Sequence, residues 1–266
     1  YVYGESGTGK ELIAKNLHIM SSRKECPFLA INCAAIPETL LESELFGYEK
    51  GAFTGAIRSK KGIFALAHKG TLFLDEISEM SPAMQAKLLR ILETKEFFPL
   101  GSEKSIRIDT RIIVASNKHL EEEVEKGNFR EDLFYRIHVI PIKLPPLRER
   151  KEDILLLAKY FLQKYTKKMQ KSVKDFSVSV SQKLILYRWP GNVRELENTI
   201  ERAVAMSLRD EITEDMIPPS QEIDEKSLQP LKSAKADFEK DYLIQLIELT
   251  QGNVTQAAKL AGKYRA

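Results

Sequence analysis

Gly4-Glu5-Ser6-Gly7-Thr8-Gly9-Lys10 sets three glycines and a lysine at the spacing of a phosphate-binding loop. The glycines let the backbone curl so that successive N–H groups face phosphate oxygens. Lys10 adds a point charge for the outer phosphates, and a following helix adds its positive end. The periodicity from Glu11 to Ser21 predicts that helix, with Leu12, Ile13, Leu17 and Met20 on one side. A Gly-rich turn before a core helix accounts for the same letters, and G-x4-G-K arises by chance in roughly one chain in ten of this length. Glu11 also departs from the general loop, which has Ser or Thr there for magnesium.

At 266 residues the chain is long enough for one large domain or two modest ones. Its 43% hydrophobic and 30% charged content is that of an ordinary soluble protein, and a net charge of +3 is too small to argue nucleic-acid binding. Cys26 and Cys33 lack C-x-x-C spacing and read as reduced cytosolic thiols, so a cytoplasmic location is expected. The four histidines show no metal-ligand spacing, and no apolar stretch reaches membrane-spanning length, so no membrane partner is expected. Tyr1-Val2-Tyr3 is short for a strand feeding a phosphate loop and reads as a strand cut inside its length.

Four apolar runs, Phe28 to Ile31, Thr71 to Leu74, Ile112 to Ala115 and Val139 to Ile142, read as buried strands. Helical patterns separate them, as at Ala83 to Leu92 and Leu120 to Lys126. That alternation predicts an α/β parallel sheet with helices on both faces. Pro141, Pro145 and Pro146 end the region. Beyond them Asp153 to Lys168, Ser181 to Arg188 and Val193 to Leu208 predict a small all-helical second domain. Pro218-Pro219 and the polar stretch to Pro230 read as a linker. A last helical pair is expected at Ala234 to Thr250 and Asn253 to Ala261.

The strand Thr71-Leu72-Phe73-Leu74 ends in Asp75-Glu76. Beside a phosphate loop such a tip can hold magnesium through Asp75 and polarise water through Glu76; a buried strand followed by a solvated turn is the plainer account. Asn32 and Asn117 also end strands. In a doubly wound sheet ligands sit at the carboxyl ends of strands, so both could converge with Asp75 on the loop. Arg130 and Arg136 fit either a charged helix face or a reach toward a phosphate held by a neighbouring subunit. Asn192 is expected to cap a helix whose buried stripe is Val193, Leu196, Ile200 and Val204. Arg194, a cation opposed to the dipole of that first turn, points to an anion or is simply exposed.

The order GESGTGKE, ELFGYEKGAFTGA, GTLFLDEI, VASN, FREDLFYRI, LPPLRER and WPGNVREL resembles the bacterial enhancer-binding proteins that activate sigma-54 RNA polymerase, which are AAA+ ATPases. It runs from Gly4 to about Leu208, and GAFTGA at Gly51 to Ala56 is highly specific to the class. These activators also carry GKE, which removes the anomaly at Glu11. The resemblance implies ATP and Mg2+ as cofactors. Gly4, Glu5, Ser6, Gly7, Thr8, Gly9, Lys10 and Glu11 would bind nucleotide, with Gly7, Gly9 and Lys10 on phosphates. Asp75 would serve magnesium and Glu76 act as general base. Asn32 would restrain the glutamate, Asn117 act as sensor, Arg130 and Arg136 as arginine fingers in trans, and Arg194 as the lid sensor.

The same resemblance makes Gly51, Ala52, Phe53, Thr54, Gly55 and Ala56 the loop that grips sigma-54. Gly51 and Gly55 permit a tight excursion, and an exposed Phe53 at its tip is costly unless it meets a partner. Residues 1–147 are expected to form the AAA+ subdomain, 148–219 the helical lid, 220–232 a linker, and 233–266 the start of a helix-turn-helix. The implied partners are sigma-54 RNA polymerase, further copies in a hexameric or heptameric ring, and enhancer DNA through a longer C-terminal domain. A DNA-binding regulator that uses the scaffold only for assembly, and a general AAA+ motor, are the competing readings; the intact loop and acid pair argue against both.

Overall fold

The computed structural model describes residues 1–207 and 210–217, and positions 235, 242–244, 247, 249–250, 253–254, 256 and 258. It divides into two compact units, Tyr1–Pro218 and Pro219–Ala266.

Five parallel strands form the sheet of the first unit: β1 (Val2–Tyr3), β2 (Phe28–Asn32), β3 (Thr71–Asp75), β4 (Arg111–Ser116) and β5 (Ile142–Lys143). Their order is β2-β3-β4-β1-β5. The helices between them are α1 (Lys10–Ile19), α2 (Glu38–Phe46), α3 (Pro82–Thr94), α4 (Leu120–Glu125) and α5 (Glu131–Ile137). β3 is buried on both faces because successive side chains alternate across the sheet. Leu72 and Leu74 join Leu41, Leu45, Leu88 and Leu133 in one core. Phe73 points the other way and joins Val2, Ala14, Ile113 and Ala115.

A separate core begins at Leu147 and is built on α6 (Lys151–Met169), α7 (Val178–Leu186) and α8 (Asn192–Met206). Fully buried Trp189 lies within it, and its indole N–H donates to the Leu184 carbonyl at 2.8 Å. In the second unit the described positions 235, 242–244, 247 and 249 are helical, as are 254, 256 and 258. The Asn253 side chain accepts from the Gln256 N–H at 3.1 Å, as a helix cap does. The linker expected at 220–232 lies outside the described residues.

Several expectations change. α1 turns Ala14 and His18 inward, whereas Leu12 and Met20 are 64% and 85% exposed. The His18 ring meets the Thr71 hydroxyl at 3.0 Å, so the inward face carries a polar pair and is rotated away from the expected apolar side. β2 is an edge strand with only Ile31 buried. The strand expected at Val139 to Ile142 is β5 and starts only at Ile142, with Val139 and Ile140 exposed at 74% and 70%. It pairs on one side only, which is where a chain crowded with prolines can join a sheet. The second domain is not wholly helical either: Asp175–Phe176 pairs parallel to Glu211–Ile212, burying Phe176 and Ile212.

Candidate functional site

The phosphate loop joins β1 to α1. Gly7 and Gly9 have φ of +78° and +100°, a backbone shape that other residues adopt only under strain. Buried Lys10 reaches back along the loop, its Nζ donating to the carbonyls of Gly4 at 2.8 Å and Glu5 at 3.2 Å. Burial lowers the Lys10 pKa, and Asp75 and Glu76 work against that. The crevice above the loop is lined by residues 6–12, Asp75, Glu76, Val193, Arg194 and Glu197.

Asp75 closes β3, and its Oδ1 accepts the Glu76 N–H at 3.0 Å. Glu76 has φ +55°, a left-handed conformation that turns the chain sharply away from the sheet. Burial raises its pKa first and the neighbouring Asp75 second, while Lys10 and Arg194 partly offset them. A carboxylate whose affinity for a proton is raised is suited to taking one from water. Burial first, and then the same two acids, push the Cys33 thiol up to about 12, which keeps it protonated. Among the described residues no cluster of three metal-binding side chains occurs. The donors at hand suit a magnesium ion that draws one carboxylate from the protein and its other ligands from phosphates and water.

The second lobe touches the loop directly. The N–H groups of Val193 and Arg194, in the first turn of α8, donate to the Gly7 carbonyl at 3.0 and 3.3 Å. A Cβ on Gly7 would meet the Gly191 carbonyl oxygen at 2.3 Å. Arg194 Nη1 donates to Ser6 Oγ at 3.2 Å. Arg150 donates to the Thr8 carbonyl at 3.1 Å, and Arg148 pairs with Glu5. Asn192 is not the expected cap. It is the first residue of α8, fully buried, and accepts the Leu147 N–H while donating to Glu5 and to the Ser6 carbonyl. Glu195 folds back to take the Gly191 N–H instead, and Val193 is only half-buried.

The remaining candidates lie elsewhere. Asn32 pairs with Asp75 across the β2–β3 ladder. Its side-chain oxygen accepts the N–H groups of Ala34 and Ala35, and among the described residues no hydrogen bond joins it to Glu76. Asn117 follows β4, exposed at the same edge of the sheet. Neither asparagine lines the crevice, so the expected convergence reaches Asp75 but not these two. Arg130 immediately precedes α5, forked onto Asp132 at 3.0 and 2.6 Å. Arg136 donates to the Leu92 carbonyl at 3.2 Å. Glu11, by contrast, is the exposed second residue of α1 and lines the crevice next to Lys10.

Gly51 to Ala56 is a surface turn in which Phe53 is 47% exposed, Thr54 is exposed and Ala56 is buried. Phe53 does not enter the core; its ring stands edge-on to Tyr48 with centroids 5.0 Å apart. No sequence expectation covers the hairpin beside it, Glu96–Phe97 with Ile106–Arg107. Leu100 in that hairpin donates to the Gly47 carbonyl and accepts from Glu49, and a Cβ on Gly101 would meet Ala52 Cβ at 2.8 Å. Pro99-Leu100-Gly101, a turn signal between apolar residues, was the available clue.

Residues 1–143 match the sigma-54 interaction domain family, and residues 148–234 match the AAA+ ATPase lid domain. The transcriptional regulatory protein ZraR of Klebsiella oxytoca is 47% identical over 98% of this chain and 60% of its own length. The Nif-specific regulatory protein of Herbaspirillum seropedicae is 56% identical over 79% of the chain and 39% of its own. NtrX from Brucella abortus, solved in complex with ATP, superposes with a TM-score of 0.75 at 36% identity, covering 99% of this chain and 60% of that one. Hsp104, at 18% identity and a TM-score of 0.55 over 77% of the chain, shares the fold. The chain thus spans about 60% of the length of relatives such as ZraR. With these matches added to the phosphate loop and the acids that end β3, the chain belongs to the sigma-54 interaction domain family of AAA+ ATPases.

Proposed function

We propose that this chain is the ATP-hydrolysing core of a transcriptional activator that remodels sigma-54 RNA polymerase so that a promoter can open. The observation that carries the reading is a single domain bearing both an acid-lined phosphate crevice and a protruding Gly51 to Ala56 loop with Phe53 and Thr54 exposed.

In this reading the loop N–H groups and Lys10 hold the phosphates of ATP, and Arg194 meets them from the lid. Glu76 takes a proton from the attacking water as the bond to the outer phosphate breaks, giving ADP and phosphate. Asp75 would hold a magnesium ion, which would supply positive charge against the charge developing on the phosphates. Asn32 restrains Glu76 until the target engages, and Asn117 senses the outer phosphate. Arg130 and Arg136 reach the nucleotide of a neighbouring copy in a hexameric or heptameric ring. Residues 148–219 act as the lid on a subdomain of residues 1–147. Residues 233–266 begin the helix-turn-helix through which the longer protein reads enhancer DNA, and the whole works in the cytoplasm.

The deciding measurement is capture of sigma-54 in the presence of ADP–aluminium fluoride, a mimic of the hydrolytic transition state. A stable complex that requires both the analogue and Thr54, lost in Thr54→Ala, is the expected result. ATP hydrolysis without any such complex would leave an ATPase with a different target.

A further inference from the structure

Gln85 is out of place by composition. It lies on the buried face of α3 with Met84, Leu88, Ile91 and Leu92, and is itself fully buried. A primary amide is costly there unless its groups find partners. Here they do: Nε2 donates to the carbonyls of Met80 at 2.8 Å and Asn128 at 3.0 Å, and Oε1 accepts the Arg130 N–H at 2.9 Å. One side chain therefore fastens the turn that follows Asp75-Glu76 to the backbone of Arg130. Gln85 does not line the crevice above the phosphate loop.

We infer that Gln85 is a positioning residue that sets Arg130 for the nucleotide of a neighbouring copy of this chain, not for its own. This rests on the reading of Arg130 as acting in trans. The chain just before Arg130 is also held by Glu123, whose carbonyl accepts the N–H groups of Asn128 and Phe129 and whose Oε2 accepts the Asn128 amide, and by the buried Phe129 ring. Among the described residues the Arg130 guanidinium is held only by Asp132, two residues along on the same exposed turn. The Gln85 amide is the buried side chain that bonds the N–H of Arg130 itself. Its loss lets Arg130 drift, and displacement of a catalytic group by about 1 Å can cost a hundredfold in rate.

A mixing experiment tests this. Gln85→Met keeps the volume and removes all three hydrogen bonds; Lys10→Ala loses its own nucleotide site but keeps its arginines. Gln85→Met alone should hydrolyse ATP at least about tenfold more slowly, with KM changed by less than about twofold. In a head-to-tail ring of equal parts Gln85→Met and Lys10→Ala, about a quarter of the interfaces pair an intact site with an intact arginine turn, so hydrolysis should recover toward that fraction. Arg130→Ala mixed with Lys10→Ala runs as the control. Recovery in both mixtures supports the inference. Recovery for Arg130→Ala alone overturns it, because Gln85 then serves its own subunit or merely the fold. Recovery for Gln85→Met alone overturns the route through Arg130. Recovery in neither removes the trans reading of Arg130, and the inference with it. If thermal unfolding shows that Gln85→Met does not fold, Gln85→Leu enters the same scheme, an apolar side chain that also removes all three hydrogen bonds without burying a charge.

Discussion

Arg148 and Glu5 meet as a two-pronged pair, Nη1 donating to Oε2 at 2.8 Å and Nη2 to Oε1 at 2.6 Å, across 143 positions of sequence. Arg148 stands where the chain enters the second core and Glu5 inside the phosphate loop, so the fork ties the lid to the nucleotide crevice. Asn192 adds a third donor to Glu5 at 3.1 Å. The Arg148 and Glu5 side chains are 41% and 42% exposed, so solvent screening limits the pair to about 1 kcal/mol or less. Arg148→Ala should therefore lower stability only slightly at neutral pH while raising KM for ATP, because the lid loses its register.

The pH dependence of that small difference has a definite sign. The Arg148 hydrogen bonds hold the Glu5 carboxyl below its ordinary value of 4.5. A carboxyl lowered on folding contributes stability above its unfolded value and loses it as pH falls through the folded one. The gap in melting temperature between the parent and Arg148→Ala should hold from pH 7 down to 4.5 and close below it. A gap that persisted undiminished at pH 3 would show that the carboxylate is not its source.

Gly7 and Gly9 separate two reasons for a glycine. Both have positive φ, so alanine at either adds strain of about 1–2 kcal/mol. Only at Gly7 does a Cβ also strike the lid, at the Gly191 carbonyl; at Gly9 nothing lies within 4 Å. Gly7→Ala should therefore be the more destabilised in urea unfolding without nucleotide. Equal losses would mean that the lid does not rest on the loop in solution.

Glu76→Gln should retain ATP binding and lose turnover by about 10²–10⁴-fold, the usual worth of a general base. It should also be more stable than the parent near pH 7. The folded-state pKa of Glu76 is raised, chiefly by burial, so its ionised form opposes folding and stability falls as pH rises through that value. Glutamine removes this penalty, and the gain in melting temperature should vanish in acid, where glutamate is protonated in both states. Retained hydrolysis would remove Glu76 as the base.

Phe53→Ala gives up one edge-on contact with Tyr48 and little burial. Its cost in unfolding free energy should be about 1 kcal/mol, while capture of sigma-54 with the transition-state analogue is lost. A loss several times larger would place Phe53 among the structural residues rather than at a contact surface.

Much of the fold was legible because it is written in short range. A continuous apolar run such as Thr71 to Leu74 can be buried on both faces only inside a parallel sheet, and glycines spaced as in Gly4 to Gly9 curl a backbone whatever surrounds them. The acids at the end of β3 could be read as a site because a strand's end and its neighbouring loop share one edge of the sheet. Local pattern also misled: Leu12, Met20, Val139 and Ile140 have the hydrophobicity of core residues yet lie open, since no element of the described fold packs over them. Asn192 had the residue type of a cap, and tertiary contacts gave it to Leu147, Glu5 and Ser6 instead.

What tertiary structure alone decided is which distant groups meet: Glu5 with Arg148, Gly7 with Gly191, Gln85 with Asn128 and Arg130, Leu100 with the base of the Gly51 to Ala56 loop. Periodicity and turn chemistry act over a few residues, so sequence determines the elements and the residues able to do chemistry. Hydrogen bonds between groups tens to more than a hundred positions apart depend on how whole elements pack, and no spacing within a single segment encodes them.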